Sequence, residues 1–204
     1  YRSNIQLNDY LKRQGKDDKL PLVAPIMGVS FHFIVQPSLG AYGTAVPVGL
    51  VNDYIGQDES VVVLMGDDFV YSADGTNDIA RLIEAANHGG GAMLGVTVPH
   101  EAVSKYGVLK LDEQGNYEQI VEKPSVEDAP STLINISKYV LPKQAIELAV
   151  MIPINPVRGE YEITDVINEF VAHGGRLSVI EAQGEYLDGG SVEGWLHANN
   201  VVAG

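Results

Sequence analysis

The segment SVVVLMGDD, residues 60–68, constrains the fold more than any other part of the chain. Val61 to Met65 form an unbroken apolar run that ends in Gly66-Asp67-Asp68. Such a run predicts a buried strand of a parallel sheet, with acidic residues at its carboxyl end. A helix follows, with Thr76 as the expected N-cap and Ile79, Leu82, Ile83 and Ala86 on one face. His88-Gly89-Gly90 stops it, and GAMLGVTV (91–98) is the next strand. The same pattern recurs: a helix from Thr164 carrying Val166, Ile167, Phe170 and Val171, then His173-Gly174-Gly175, then the strand RLSVIEA. Neither glycine pair precedes a helix N-terminus, so both predict helix C-caps and not anion-binding loops. Strands alternating with helices predict an α/β fold: a mostly parallel mixed sheet with helices on both faces.

The remaining elements fit around this frame. Ile5, Leu7, Tyr10 and Leu11 have helical spacing, with no N-cap signal before them. Val29 to Val35 predicts a strand, ended by Gln36-Pro37-Ser38. The Gly-rich turn LGAYG leads into a helix over 45–55, with Pro47 in its first turn. Residues 106–124 predict a hairpin closed by the turn DEQGN. LINISKYVL predicts a strand, Pro142 opens a helix at its first position, and the last helix follows EYLDGG with Ser191 as cap.

Thirteen Lys and Arg stand against 27 Asp and Glu, a formal charge of −14. That balance argues against a nucleic-acid partner, which would need a basic face. It also means that any phosphate must meet a local cation, a backbone nest or a metal. The chain has no cysteine, which excludes disulfides and thiolate metal sites and agrees with a reducing cytoplasm. No apolar run of about 18 residues predicts a membrane span.

Ligands of open α/β sheets bind beyond the carboxyl ends of strands. Asp67 lies at such an end, after Gly66, where the backbone can come close to a ligand. Asp68 points the other way if the chain is extended, so the two cannot serve one ion. Asp188, in YLDGG, has a similar Gly-flanked setting. A hard cation such as Mg2+ takes one or two carboxylates together with phosphate oxygens, although both aspartates could equally be turn residues. Glu122-Lys123-Pro124 ends the hairpin: Pro124 keeps Glu122 extended, a carboxylate can accept two sugar hydroxyls, and a lysine can meet a phosphate as a point charge. The five histidines (32, 88, 100, 173 and 197) have no metal-ligand spacing and read as surface or cap residues.

The ordered motifs QPSLGAYGTA, LMGDD, KYGV, VEKP, GEYEITDVI and YLDGGSVEGW resemble the sugar-1-phosphate nucleotidyltransferases. Within that family the pattern, above all VEKPSVEDAPSTLINISKYVL, is most like the bacterial UTP–glucose-1-phosphate uridylyltransferases. The resemblance runs from about residue 29 to 200. It implies a Rossmann-like fold of the nucleotide-diphospho-sugar transferase type, with residues 1–204 as a single catalytic domain incomplete at its N-terminus.

The implied roles are these. Gln36 reads the nucleobase, beside the turn at Ala41 and Gly43. Asp67 and Asp188 hold Mg2+. Tyr106, Gly107, Glu122 and the Asn135 backbone meet the sugar, and Lys123 meets its phosphate. Residues 162–165 give structural support. The implied partners are a nucleoside triphosphate, UTP first, and a sugar 1-phosphate, glucose 1-phosphate first. The products are a nucleotide-sugar and pyrophosphate, and a homo-oligomer is left open. The nucleophile is already an anion, so no side-chain base is required.

Three departures from the family pattern stand out. Ala41 replaces a glycine, Asn135-Ile136-Ser137 replaces a stretch usually ending in glycine, and nothing matches the family's Gly-rich phosphate-binding loop. These residues alone are therefore expected to have little activity. A thymidylyltransferase, or a non-catalytic nucleotide-sugar-binding subunit, is the alternative.

Overall fold

The computed structural model describes residues 4–87 and 90–204, in two compact units, Tyr1–Val35 and Gln36–Gly204. In the first unit, α1 (Ile5–Arg13) does have an N-cap: the Asn4 carboxamide oxygen accepts the Leu7 N–H at 3.0 Å. Two 3-10 turns follow, Asp17–Lys19 and Pro21–Val23. The strand expected over 29–35 does not form. This unit has no other described strand to complete a ladder, and without one an extended segment stays irregular.

The second unit carries the α/β fold. Its elements are α2 (Ala45–Gly49), β1 (Ser60–Leu64), β2 (Asp68–Tyr71), α3 (Asp78–Ala86), β3 (Gly91–Thr97), β4 (Gly107–Leu111) and β5 (Tyr117–Glu122). Then come β6 (Leu133–Pro142), α4 (Lys143–Met151), α5 (Ile163–Ala172), β7 (Leu177–Glu181), β8 (Glu185–Asp188) and α6 (Val192–Ala203). The main sheet is mixed, with order β5-β4-β6-β3-β7 and β1 beside β6. Strands β1, β3, β4 and β7 run one way; β5 and β6 run against them. The ten-residue β6 is thus the spine of the sheet, pairing antiparallel with β1, β3 and β4. A separate two-stranded ribbon joins β2 to β8 in antiparallel register, Asp68 opposite Asp188.

Both faces are covered. Met93, Leu109, Tyr139 and Leu141 pack on one side against Ile146 of α4 and Ile167 and Phe170 of α5. Leu94, Val108, Ile134 and Val140 face α3, whose Leu82 is fully buried. Truncating Leu82 to alanine would cost about 2–5 kcal/mol.

Several expectations shift at element ends. The run 60–64 is not a buried parallel strand: β1 pairs antiparallel with β6, and it alternates in exposure because Val61 and Val63 pack on the core while Val62 and Leu64 point from the opposite, uncovered face. The helix over 45–55 is a short α2 and a 3-10 turn, Asn52–Tyr54. Asn77, not Thr76, caps α3, since its carboxamide accepts the Ala80 N–H at 3.0 Å while the Thr76 N–H goes to Asp74. Pro142 is the N-cap of α4 and not its first helical residue. His88 and Gly89 lie outside the described residues. Gly174 does end α5, at φ +88°, its N–H bonded to Val171 O and that of Gly175 to Phe170 O. Ser191 caps α6 as expected.

Candidate active site

Main-sheet strand β1 passes through Met65-Gly66-Asp67 into the β2–β8 ribbon, and this crossing places the two acidic candidates together. The Gly189 N–H donates to Asp67 O at 2.8 Å, and the Gly190 N–H to the Asp188 carboxylate at 2.9 Å. A Cβ on Gly190 would lie 3.1 Å from Asp188 Oδ1 and 3.7 Å from Asp67 Oδ2. The two carboxylates therefore converge on one side-chain-free point. Both residues are exposed, and neither has an ion-pair partner among the described residues. Two uncompensated carboxylates facing a gap suit a hard divalent cation that completes its shell with water and phosphate oxygens. A cavity of about 410 Å³ opens beside them, lined by Asp67, Phe69, Trp195 and Asn199 among others.

Asp68 turns the other way, as the alternation of an extended chain requires. It pairs with the buried ammonium of Lys138 and accepts the Tyr186 hydroxyl at 3.1 Å. Burial raises the Asp68 carboxyl above the ordinary range despite Lys138. Burial likewise pushes the Tyr186 phenol up, helped by the charge of Asp68.

The hairpin brings the sugar candidates together. Gly107 is the register partner of Glu122, and a Cβ there would meet the Glu122 carboxylate at 3.0 Å. The Lys123 N–H donates to Tyr106 O at 3.0 Å, and Lys123 sits at φ +45°. A lysine held in the left-handed region costs about 1–2 kcal/mol, so the surrounding fold must hold the backbone in this turn. Asn135 lies one residue along β6 from the Val108–Ile134 pair. Its carboxamide is engaged internally: the oxygen accepts the Ser137 N–H at 3.0 Å, and the nitrogen donates to the Tyr139 hydroxyl at 2.7 Å. Burial pushes the Tyr139 phenol up to about 12, with Asp68 and Glu122 adding to the shift.

Gln36 is half-buried, and Ala41 is exposed. The turn that follows is fastened to the EYEITD segment: Tyr161 N–H donates to Tyr42 O, Ala45 N–H to Tyr161 O, and Ile163 N–H to the Thr44 hydroxyl, each at 2.9 Å. Glu162 accepts the Thr44 hydroxyl at 3.3 Å. Two motifs more than a hundred residues apart are thereby one structure.

One residue was missed in the sequence. Arg158 lies with its Nε 2.7 Å from Glu162 Oε1 and its Nη1 3.5 Å from Glu122 Oε1. The i,i+4 spacing to Glu162 was a visible signal; the approach to Glu122, 36 residues away, was not. A larger cavity of about 570 Å³, lined by Met151, Ile154 and His173 among others, holds none of the candidate metal, sugar or base residues and meets only Asp165 of the 162–165 motif.

With this geometry in place, comparison with known proteins is direct. The chain belongs to the nucleotidyl transferase family, whose model matches residues 2–203. It is 30% identical over 175 residues to a low-salt glycan biosynthesis nucleotidyltransferase of Haloferax volcanii, covering 86% of this chain and 46% of that protein. It is equally 30% identical to a UTP–glucose-1-phosphate uridylyltransferase of Komagataeibacter xylinus, covering 83% and 60%. Its fold is similar to a UDP-glucose pyrophosphorylase structure from Acinetobacter baumannii, with TM-score 0.82 and 27% identity, over 97% of this chain and 69% of that one. The chain thus spans about half the length of these two curated relatives.

Proposed function

We propose that this chain is the sugar-phosphate and metal-binding part of a nucleotidyltransferase that joins UTP to glucose 1-phosphate, giving UDP-glucose and pyrophosphate. The observation that carries the reading is the convergence of Asp67 and Asp188 on Gly190. The grouping of Tyr106, Gly107, Glu122 and Lys123 around one hairpin end supports it.

Magnesium on Asp67 and Asp188 would neutralise phosphate charge. Glu122 binds two sugar hydroxyls, and Lys123 orients the sugar phosphate so that its oxygen faces the α-phosphorus. Gln36 and the Ala41–Gly43 turn take the base, and the Asn135 backbone meets the sugar. Catalysis then rests on positioning and charge, with no side-chain nucleophile. Among these residues no Gly-rich loop matches the family's phosphate cradle, so the chain alone binds more readily than it turns over.

Calorimetric titration of the 204-residue protein with UDP-, dTDP-, ADP- and GDP-glucose, with and without Mg2+, tests the reading. UDP-glucose should bind most tightly, and Glu122→Ala should lose at least tenfold in affinity. Equal affinity for all four would remove the uridylyl assignment. Failure to bind any of the four nucleotide-sugars would remove the reading altogether.

A further inference from the structure

The β2–β8 ribbon ends at Asp188 and begins directly after Asp67, yet it shares no hydrogen-bonded ladder with the six-stranded sheet. Side chains fasten it instead, at two ends. At the end away from the two carboxylates, Asp78 of α3 accepts the Gln183 N–H at 3.1 Å and the Gly184 N–H at 2.9 Å. At the site end, Lys138 of β6 holds Asp68, the residue next to Asp67, and also donates to Ile136 O at 3.3 Å. Tyr186, two residues before Asp188, donates its hydroxyl to the same Asp68 carboxylate. One ion pair therefore ties β6, β2 and β8 together where the metal candidates project.

The Lys138 and Asp68 side chains are only 4% and 10% exposed. A buried pair of this kind adds little net stability, because desolvation offsets the attraction; its use is to select one geometry. Tight packing cannot replace it, since a cavity of about 350 Å³, lined by Leu64, Val70 and Asn77 among others, borders the pair. Glycines lie on both sides of the carboxylates, at 66 and at 189–190, so an unpinned ribbon has places to bend.

We propose that Lys138 is a positioning residue for the metal-binding carboxylates: locked on Asp68, it sets the approach of Asp67 and Asp188 to each other. The proposal rests on the reading of Asp67 and Asp188 as metal ligands. It is separable from that reading by experiment.

Mn2+ binding to the 204-residue protein, read by electron paramagnetic resonance, is compared in four proteins. These are the wild type, Asp67→Asn, Lys138→Met, and the double variant Lys138→Met with Asp68→Asn. The double variant leaves no lone buried charge, so it decides the matter if Lys138→Met alone fails to fold. The expected result is Mn2+ binding by the wild type, its loss in Asp67→Asn, and at least tenfold weaker binding in the double variant with unchanged circular dichroism and melting temperature. A merely structural lysine would lower the melting temperature and leave the affinity of the folded protein intact. Wild-type affinity in the double variant overturns the positioning role and leaves the metal site standing. No Mn2+ binding by the wild type overturns both.

Discussion

The carboxamide oxygen of Asn135 accepts the backbone N–H of Ser137 at 3.0 Å, and Ser137 stands at φ +56°. Asn135 thus supports a left-handed turn that a serine adopts at a cost of about 1–2 kcal/mol. Ser137→Gly should raise stability by about 0.5–1 kcal/mol, the steric relief outweighing the extra chain entropy. Asn135→Ala should lower it by about 1–3 kcal/mol, since the Tyr139 hydroxyl also loses its partner. In a double-mutant cycle followed by urea unfolding, Ser137→Gly should stabilise the Asn135→Ala protein by more than it stabilises the wild type. Strict additivity would show that the two residues are not coupled.

Asp78 is nearly buried, and burial opposes its charge. The N–H groups of Gly184 and Gln183, with Arg81, outweigh that and hold its carboxyl below the ordinary range. A carboxyl with a lowered folded pKa contributes stability above its unfolded value near 3.9 and loses it as pH falls through the folded value. Asp78→Asn should therefore cost about 2 kcal/mol at pH 7. The gap in melting temperature between the two proteins should close as pH falls below about 4. A gap independent of pH would count against the ionised form as the anchor.

The sequence made the covalent neighbourhoods legible and hid the long-range ones. The hairpin, β6 and the C-cap at Gly174 followed from periodicity and turn chemistry, which act over a few residues. The opposed directions of Asp67 and Asp68 followed from strand geometry alone. The position of β1 did not: an apolar run reads as buried whether or not both edges find partners, and this one is paired to β6 only. The run 29–35 failed for the same reason, because a strand is defined by its ladder and not by its residues. Asp67 and Asp188 were each identifiable as Gly-flanked acids, but their convergence depends on the register of a ribbon between segments 120 residues apart. Resemblance to a family supplied that link; the spacing of residues did not.

Gly43 is required twice over. It stands at φ +126°, and a Cβ there would lie 2.3 Å from Tyr161 O. Backbone cannot yield as a flexible side chain would, so Gly43→Ala combines backbone strain with overpacking, about 2–4 kcal/mol in all. The turn would have to part from Tyr161, taking Ala41 and Tyr42 with it. Chemical denaturation should show the loss, and affinity for UDP-glucose should fall while Mn2+ affinity at Asp67 is unchanged. An unchanged UDP-glucose affinity in a folded Gly43→Ala protein would separate this turn from base recognition.

Arg158 pairs with two carboxylates of different burial. Its own side chain is 44% exposed and that of Glu122 45%, so this pair is worth less than about 1 kcal/mol to the fold, whereas Glu162 is only 11% exposed and would be left as a buried, unpaired carboxylate without Arg158. It is nonetheless the only cation within 4.0 Å of the Glu122 carboxylate among the described residues. Removing it leaves Glu122 free to swing and raises the local negative charge where a sugar phosphate must approach. Arg158→Ala should therefore lower the melting temperature through the orphaned Glu162 and, in the folded protein, weaken UDP-glucose binding about tenfold, or ~1.4 kcal/mol. Arg158→Lys keeps the charge but not the forked geometry that reaches two carboxylates at once, so it should recover only part of the affinity. Full recovery by lysine would mean that charge alone matters. An Arg158→Ala protein with wild-type affinity would place Glu122 outside the sugar site or show that it needs no support.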